Sequence, residues 1–298
     1  MLMPQLLRPG DTVAILATSG PCDSDRLERG VKAVRDMGLI PLVMESCHLR
    51  HDFLAGPDAI RLRDLHTAFA SPEVRGIFVA RGGYGAARLL PYMDFRLIAR
   101  NPKVFVGYSD VTALHIAITQ RCGFVTFHGP MPAVDFVGDA ATLEILCNMI
   151  FERHGQQPTA SKCGTTNIWH GLDIDLSGVI SIVPGHARGR LTGGNLTLLA
   201  ASLGTPFEID TRGCILFIEE TGEPPYRVDR LINQLKQASK LSQAAGIVLG
   251  DFSPETPETL AITIQELIVP EGKPTLAGFP SGHTSPNVTL PMGATVDF

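Results

Sequence analysis

The feature that most constrains the fold of this chain is an alternation that runs through its first half. Short apolar runs trade places with segments of helical periodicity. Thr12-Val13-Ala14-Ile15-Leu16-Ala17 reads as a buried strand, closed by Ser19-Gly20-Pro21. Asp23 to Met37 reads as a helix: Asp23 caps it, Leu27, Val31 and Val34 line one face, and Gly38 ends it. The pattern repeats with strands at 39–44, 76–80, 104–106 and 125–127 and helices at 59–70, 86–92, 111–121 and 139–152. This βαβ spacing predicts an open parallel sheet with helices on both faces. Ligands of such sheets gather at the carboxyl ends of the strands. Arg81-Gly82-Gly83-Tyr84-Gly85 and Ser109 both lie just past a strand end, so they are expected on one rim.

From His154 to about Gly185 the texture shifts toward Gly, Thr, Ser and Pro, and the single tryptophan, Trp169, falls here. A linker over 156–180 is therefore expected, between a domain at 1–155 and a second at 181–298. The second half mixes short strands (214–218, 246–249) with helices (195–203, 227–238, 257–268) and ends on a strand at 294–298. A chain of 298 residues is long enough for two domains. Its formal net charge of -5, with no basic block, excludes nucleic acid as a natural partner. No apolar run reaches the ~18 residues of a membrane span, and the N-terminus lacks the marks of a cleaved signal, so a cytoplasmic location is expected. The cysteines (22, 47, 122, 147, 163, 214) show no Cys-x-x-Cys pair and read as reduced, mostly buried thiols.

Four segments could carry chemistry. In Gly107-Tyr108-Ser109-Asp110 a buried strand runs into a glycine, and one serine stands where a helix begins. Ser109 could be a helix cap. Thr112 leaves a capping box incomplete, whereas an open helix N-terminus beside a serine suits nucleophilic catalysis. Val111 replaces the last glycine of G-x-S-x-G, so an ordinary α/β-hydrolase is not indicated. Arg81-Gly82-Gly83-Tyr84-Gly85 reads as a phosphate cradle, an oxyanion hole or a tight turn. It matches neither the Walker pattern nor G-x-G-x-x-G. Glu219-Glu220 ends the apolar run 215–218 and is either a solvated strand end or a catalytic acid. His283 sits in a loop rich in turn formers, and His128, just after a strand, competes with it as a base. No histidine spacing suggests zinc.

Taken together, these segments resemble the LD-carboxypeptidase family, the muramoyltetrapeptide carboxypeptidases among serine peptidases. The likeness covers nearly the whole chain: Arg8-Pro9-Gly10-Asp11, Phe53-Leu54-Ala55-Gly56, residues 80–85, Gly107-Tyr108-Ser109-Asp110, His128-Gly129-Pro130-Met131, Gly189 to Leu196, Leu203-Gly204-Thr205-Pro206, Glu219 and Gly282-His283-Thr284. It implies an α/β fold, with a flavodoxin-like parallel-sheet N-terminal domain and a smaller β-rich C-terminal domain. It implies a Ser–His–Glu triad at Ser109, His283 and Glu219, and an oxyanion hole of the Gly83 and Asp110 N–H groups. Arg81, Gly82 and Tyr108 are the expected substrate contacts, with Arg81 on the D-alanine carboxylate. The resemblance further implies no metal or cofactor, a homodimer, and a muropeptide tetrapeptide substrate that loses its terminal D-alanine during wall recycling. Two alternatives stand beside it. One is the family branch that hydrolyses peptidyl or aminoacyl nucleotides in microcin immunity, whose longer aromatic insertion is missing here. The other is a non-catalytic muropeptide-binding protein.

Overall fold

The computed structural model describes residues 1–152 and 176–298. In chain order the elements are β1 (Thr12–Leu16), α1 (Ser24–Asp36), β2 (Ile40–Val43), α2 (Asp58–Ala70), β3 (Val74–Val79), α3 (Phe95–Arg100), β4 (Val104–Gly107), α4 (Thr112–Cys122), β5 (Thr126–His128), α5 (Ala140–Ile150), β6 (Ile180–Val183), β7 (Arg188–Asn195), α6 (Leu196–Ser202), β8 (Cys214–Glu219), α7 (Pro225–Gln237), α8 (Lys240–Gln243), β9 (Gly246–Leu249), α9 (Ala261–Thr263), β10 (Thr275–Ala277), β11 (Leu290–Met292) and β12 (Thr295–Asp297). The chain divides into two compact units. The first holds the described residues up to 152 together with Thr289–Pro291; the second holds those from 176 to Val288 together with Met292–Phe298. The expected linker falls mostly, and Trp169 and Cys163 entirely, outside the described residues.

The first unit is built on a six-stranded sheet in the order β11-β5-β4-β3-β1-β2. The pairings of β1 through β5 are all parallel, which is the flavodoxin-like 2-1-3-4-5 order. The alternation in the sequence favours this arrangement, because apolar strands alternate with helices that bury one face, as α1 does, or nearly all of their surface, as α4 does. Phe69, Phe78, Phe105, Phe124 and Phe127 are fully buried, each contributing roughly 2–3 kcal/mol of apolar burial. Helix α1 forms as expected: the Asp23 side chain accepts from the Arg26 N–H at 2.9 Å, Leu27, Val31 and Val34 are buried, and Gly38 takes a φ of 82°.

Some elements depart from expectation for local reasons. Residues 86–92 form a 3₁₀ rather than an α-helix, since Pro91 has no N–H to give to an i−4 bond. Helix α3, too short for a periodic signal, is nucleated by Asp94, which accepts from the N–H groups of Arg96 (3.0 Å) and Leu97 (2.9 Å). Where one helix was expected over 257–268, a short α9 passes into a π-turn at Ile264–Ile268; Thr259, Ile262, Thr263 and Ile264 are β-branched and poor helix formers.

The second unit also has a six-stranded sheet, ordered β12-β7-β8-β9-β10-β6. Its centre, β7 through β10, is parallel, and antiparallel β12 and β6 close its edges. It is thus a mixed α/β layer in its own right, with helices α6 and α7 packed together. Strand β7 was invisible to a hydrophobic pattern because glycines interrupt it. Those glycines are a packing requirement: a Cβ on Gly193 would stand 1.9 Å from the Phe217 carbonyl oxygen. In the first unit the candidate residues follow the carboxyl ends of β3 and β4; in the second, Glu219 is the last residue of β8 and His283 lies in the loop after β10.

Candidate active site

In the first unit, β4 is buried throughout and delivers the chain to Ser109. Tyr108 is extended (φ −149°) and Ser109 takes a φ of 64°, a left-handed conformation that costs a non-glycine residue roughly 1–2 kcal/mol. A 3₁₀ turn, Ser109–Val111, then leads into α4. Ser109 is therefore not a simple helix cap. It is held, partly exposed, at the apex of a strained strand-to-helix turn. Gly107 permits this turn by its lack of volume, since a Cβ there would meet the Val111 Cγ1 at 3.0 Å and the Val79 Cβ at 3.2 Å.

The expected shared rim is present. A Cβ on Gly82 would lie 3.0 Å from the Ser109 Cβ and 3.1 Å from its Oγ, so the glycine-rich loop rests directly on the serine. Gly83 takes a φ of 116°, a conformation that favours glycine. This loop is locked from several sides. The Gly20 N–H donates to the Gly82 carbonyl at 3.1 Å. The buried Asp110 carboxylate accepts from the Ser19 hydroxyl at 2.6 Å and the Ala86 N–H at 2.7 Å. Burial raises the Asp110 pKa, and those donors oppose the rise. Arg61, fully buried, donates to the Thr18 carbonyl and, at 3.0 Å, to the Gly85 carbonyl. Ser19 and Arg61 were not expected at the site. Their sequence neighbourhoods carry no motif, and only folding brings the loops after β1 and β3 together.

The other expected contacts of this unit are now placed. Arg81 donates from Nη1 to the Pro21 carbonyl at 3.0 Å, while its Nε is buried without a hydrogen-bond partner. Tyr108 is buried and its hydroxyl donates to Asp135 at 3.1 Å, so its side chain packs inward instead of presenting itself to a ligand. His128, the competing base, is fully buried, edge-on to the Tyr108 ring at 5.9 Å between centroids. Behind the nucleophile turn lies His115, whose Nε2 is 2.7 Å from the Gly107 carbonyl and whose Nδ1 is 2.8 Å from the Thr126 hydroxyl. A carbonyl only accepts, so Nε2 carries the proton. Burial lowers the His115 pKa to about 4.

In the second unit, β8 ends on Glu219, which is fully buried. Its Oε2 is 2.8 Å from the His283 Nδ1. The ring nitrogen donates here, which leaves Nε2 as the proton acceptor of the imidazole. Burial raises the Glu219 pKa, the His283 bond and charge lower it, and the Glu220 charge raises it. Gly282 makes the approach possible: its φ is 122°, and a Cβ would lie 3.0 Å from both the Glu219 Cβ and its Oε2. The Gly282 N–H donates to Asn287 Oδ1 at 3.1 Å and Ser281 Oγ to the Val288 carbonyl at 2.8 Å, fixing the loop that carries His283.

The neighbouring glutamate has a different task. Glu220 accepts from Asn195 Nδ2 (3.1 Å), the Thr197 N–H (2.8 Å) and hydroxyl (2.7 Å), and the Thr221 N–H (2.9 Å). It thereby closes the N-terminus of α6, where a negative charge is favoured. The two glutamates are thus separated by their partners, an assignment that the sequence alone left to position. Among the described residues, no group of three or more His, Cys, Asp and Glu side chains is placed to hold a metal ion, and no helix is long and apolar enough to cross a membrane.

A serine on a strained turn under a glycine loop, and a histidine held by a buried glutamate, are the parts of a serine hydrolase. The chain belongs to the LD-carboxypeptidase family: the model of that family's N-terminal domain matches residues 13–129 and that of its C-terminal domain residues 188–298. By this membership it is a peptidase. A probable murein peptide carboxypeptidase of Bacillus subtilis is 40% identical over 98% of this chain and 89% of its own length. A murein tetrapeptide carboxypeptidase of Pseudomonas aeruginosa is 32% identical over 95% of this chain and 91% of its own. Among solved structures, an MccF-like protein from Bacillus anthracis superposes with a TM-score of 0.86 at 28% identity, covering 100% of this chain and 95% of that one. A muramoyltetrapeptide carboxypeptidase from Oxalobacter formigenes gives 0.77 at 31% identity, covering 95% of this chain and 93% of that one.

Proposed function

We propose that this protein is a serine LD-carboxypeptidase that releases the terminal D-alanine from peptidoglycan tetrapeptides. The observation that carries the reading is the preformed Glu219–His283 pair, 2.8 Å apart, in a chain whose other unit offers a strained serine. Ser109 attacks the carbonyl of the diamino acid that precedes D-alanine, and His283 Nε2 takes its proton. Glu219 orients the ring and stabilises the imidazolium. The N–H groups of Gly83 and Asp110 meet the oxyanion, each such donor contributing about 3 kcal/mol in comparable sites. His283 then protonates the departing D-alanine amine, and water resolves the acyl-enzyme. Arg81 binds the D-alanine carboxylate, a role supported by its buried, unpartnered Nε donor. On this reading the enzyme works in the cytoplasm, as a homodimer, in wall recycling.

The test is incubation with a defined tetrapeptide and assay for free D-alanine. Release, abolished in Ser109→Ala and in His283→Ala, is the expected result; no release from wild type sinks the proposal, and binding without turnover would indicate a muropeptide-binding protein. One observation favours a second reading. A microcin self-immunity protein, MccF, superposes with a TM-score of 0.84 at 26% identity, above the value for the solved carboxypeptidase. Hydrolysis of an aminoacyl nucleotide, assayed side by side with the tetrapeptide, separates the two.

A further inference from the structure

Two thiols that the mechanism does not use meet on the rim that carries the glycine loop. Cys22 lies in the loop after β1, and Cys47 in a 3₁₀ turn, Glu45–His48, after β2. Strands β1 and β2 are parallel neighbours, so their carboxyl ends bring the two residues together from separate parts of the chain. The side chains share a hydrogen bond, and both are free thiols.

The pair is asymmetric. Cys22 is half-buried and open to a small solute. Cys47 is 3% exposed, with its Sγ 3.3 Å from the Ile15 carbonyl oxygen. Its turn is pinned to β1 and α2: Ser46 Oγ accepts from the Ala17 N–H at 3.1 Å, and the Ser46 N–H donates to Asp64 Oδ2 at 2.7 Å. The hydrogen bond with Cys47 lowers the Cys22 pKa, burial opposes this, and the Arg81 charge lowers it further. Burial instead raises the pKa values of Cys122, Cys147 and Cys214. An accessible thiol that favours its thiolate, in contact with a second thiol, is the arrangement that oxidants select.

The Cys22 segment also supports the candidate active site. The Pro21 carbonyl accepts from Arg81 Nη1 at 3.0 Å, and the Gly20 N–H donates to the Gly82 carbonyl at 3.1 Å. A Cβ on Gly83 would stand 3.2 Å from the Gly20 Cα. There is little slack between the Cys22 loop and the glycine loop that rests on Ser109.

We propose that Cys22 and Cys47 form a redox modification site, at which a hydroperoxide drives a disulfide that pulls on the support of the glycine loop. The Cys22 thiolate attacks a peroxide oxygen, the O–O bond breaks, and hydroxide leaves Cys22 as a sulfenic acid. The Cys47 sulfur then attacks the Cys22 sulfur, forming the S–S bond and releasing water. Two thiols are oxidised and hydrogen peroxide is reduced to two waters, while a dithiol reverses the change. The sulfurs must close to about 2.05 Å, and because the Cys47 turn is pinned, the Cys22 loop yields.

The test treats the native protein with hydrogen peroxide and maps its peptides by mass. The expected product is a Cys22–Cys47 cross-link that dithiothreitol reverses. In Cys47→Ser the cross-link should be absent and Cys22 should be trapped by dimedone as its sulfenic acid. D-alanine release should fall roughly ten- to hundredfold on oxidation, the effect of shifting a reacting group by about an ångström, and should recover with dithiothreitol. Cys22→Ala should resist this loss. Oxidation of other cysteines with no Cys22–Cys47 cross-link overturns the site. A cross-link with undiminished turnover overturns its coupling to the glycine loop, as does equal peroxide sensitivity in Cys22→Ala. The activity readout rests on the peptidase reading above, but the cross-link does not: no D-alanine release before oxidation sinks that reading, while the peptide map still decides the redox site.

Discussion

Replacing Gly82 by alanine tests whether the glycine loop and Ser109 form one working unit. The new methyl would lie 3.0 Å from the Ser109 Cβ and 3.1 Å from its Oγ. Ordinary carbon contacts lie at about 3.5–4.0 Å, so one partner must yield by roughly half an ångström. Gly82 is not among the residues with positive φ, so the backbone itself tolerates alanine. Its loop is pinned by the Gly20–Gly82 hydrogen bond, and Ser109 already sits at a φ of 64°. The serine side chain is the softest element and will move. Overpacking of this kind costs about 1–3 kcal/mol of stability. A nucleophile displaced by an appreciable fraction of an ångström loses up to ~10²-fold in rate. Gly82→Ala should therefore remain folded, with a modestly lowered melting temperature, and lose one to two orders of magnitude in kcat/KM for D-alanine release. Gly178→Ala, where nothing lies within 4 Å of the added methyl, is the control and should be near neutral. Wild-type kcat/KM in Gly82→Ala would refute the reasoning.

Three further outcomes follow from the same geometry. Ser109→Gly should be more stable than Ser109→Ala by about 1 kcal/mol, because only glycine relieves a left-handed φ; both should be inactive, and equal denaturant midpoints would count against strain at this residue. Glu219→Gln should reduce turnover by up to ~10⁴-fold, as removal of an orienting acid does elsewhere, with little change in melting. Glu220→Gln should instead destabilise by about 1–3 kcal/mol through its broken cap on α6, and reversed phenotypes would exchange the two assignments. His115 gives a pH signature. It stays neutral in the folded state down to about pH 4, against an ordinary value of 6.5, so the unfolded chain binds more protons between those limits. Stability thus rises with pH across that window and is lost as pH falls through it, by about 3 kcal/mol in full. Denaturant midpoints measured from pH 4 to 7 should show this slope in wild type and a flatter one in His115→Gln.

What the amino-acid order alone determined was the periodic part of the molecule. Strands buried on both faces and helices buried on one dictate a parallel α/β sheet wherever they alternate. Ser109, the Gly82 loop and Glu219-Glu220 stood out as candidates because each ends or follows a patterned segment, and His283 because it sits in a turn-rich loop; the roles expected of them came from the family resemblance and not from the pattern. Folding decided what depends on distance. Whether Glu219 or Glu220 faces a histidine turns on the direction in which each side chain leaves the chain, at the last residue of β8 and the one after it. Arg61 and Ser19 reach the nucleophile loops only because β1 and β3 are neighbours in the sheet, although separated along the chain. The left-handed Ser109 reflects a compromise between β4, α4 and the Gly82 loop. A hydrophobic pattern records which residues are buried, not which buried groups meet. Those meetings decide what a carboxylate, an imidazole and a hydroxyl can do, because hydrogen bonds and close contacts act over a few ångströms while their partners lie tens of residues apart in the chain.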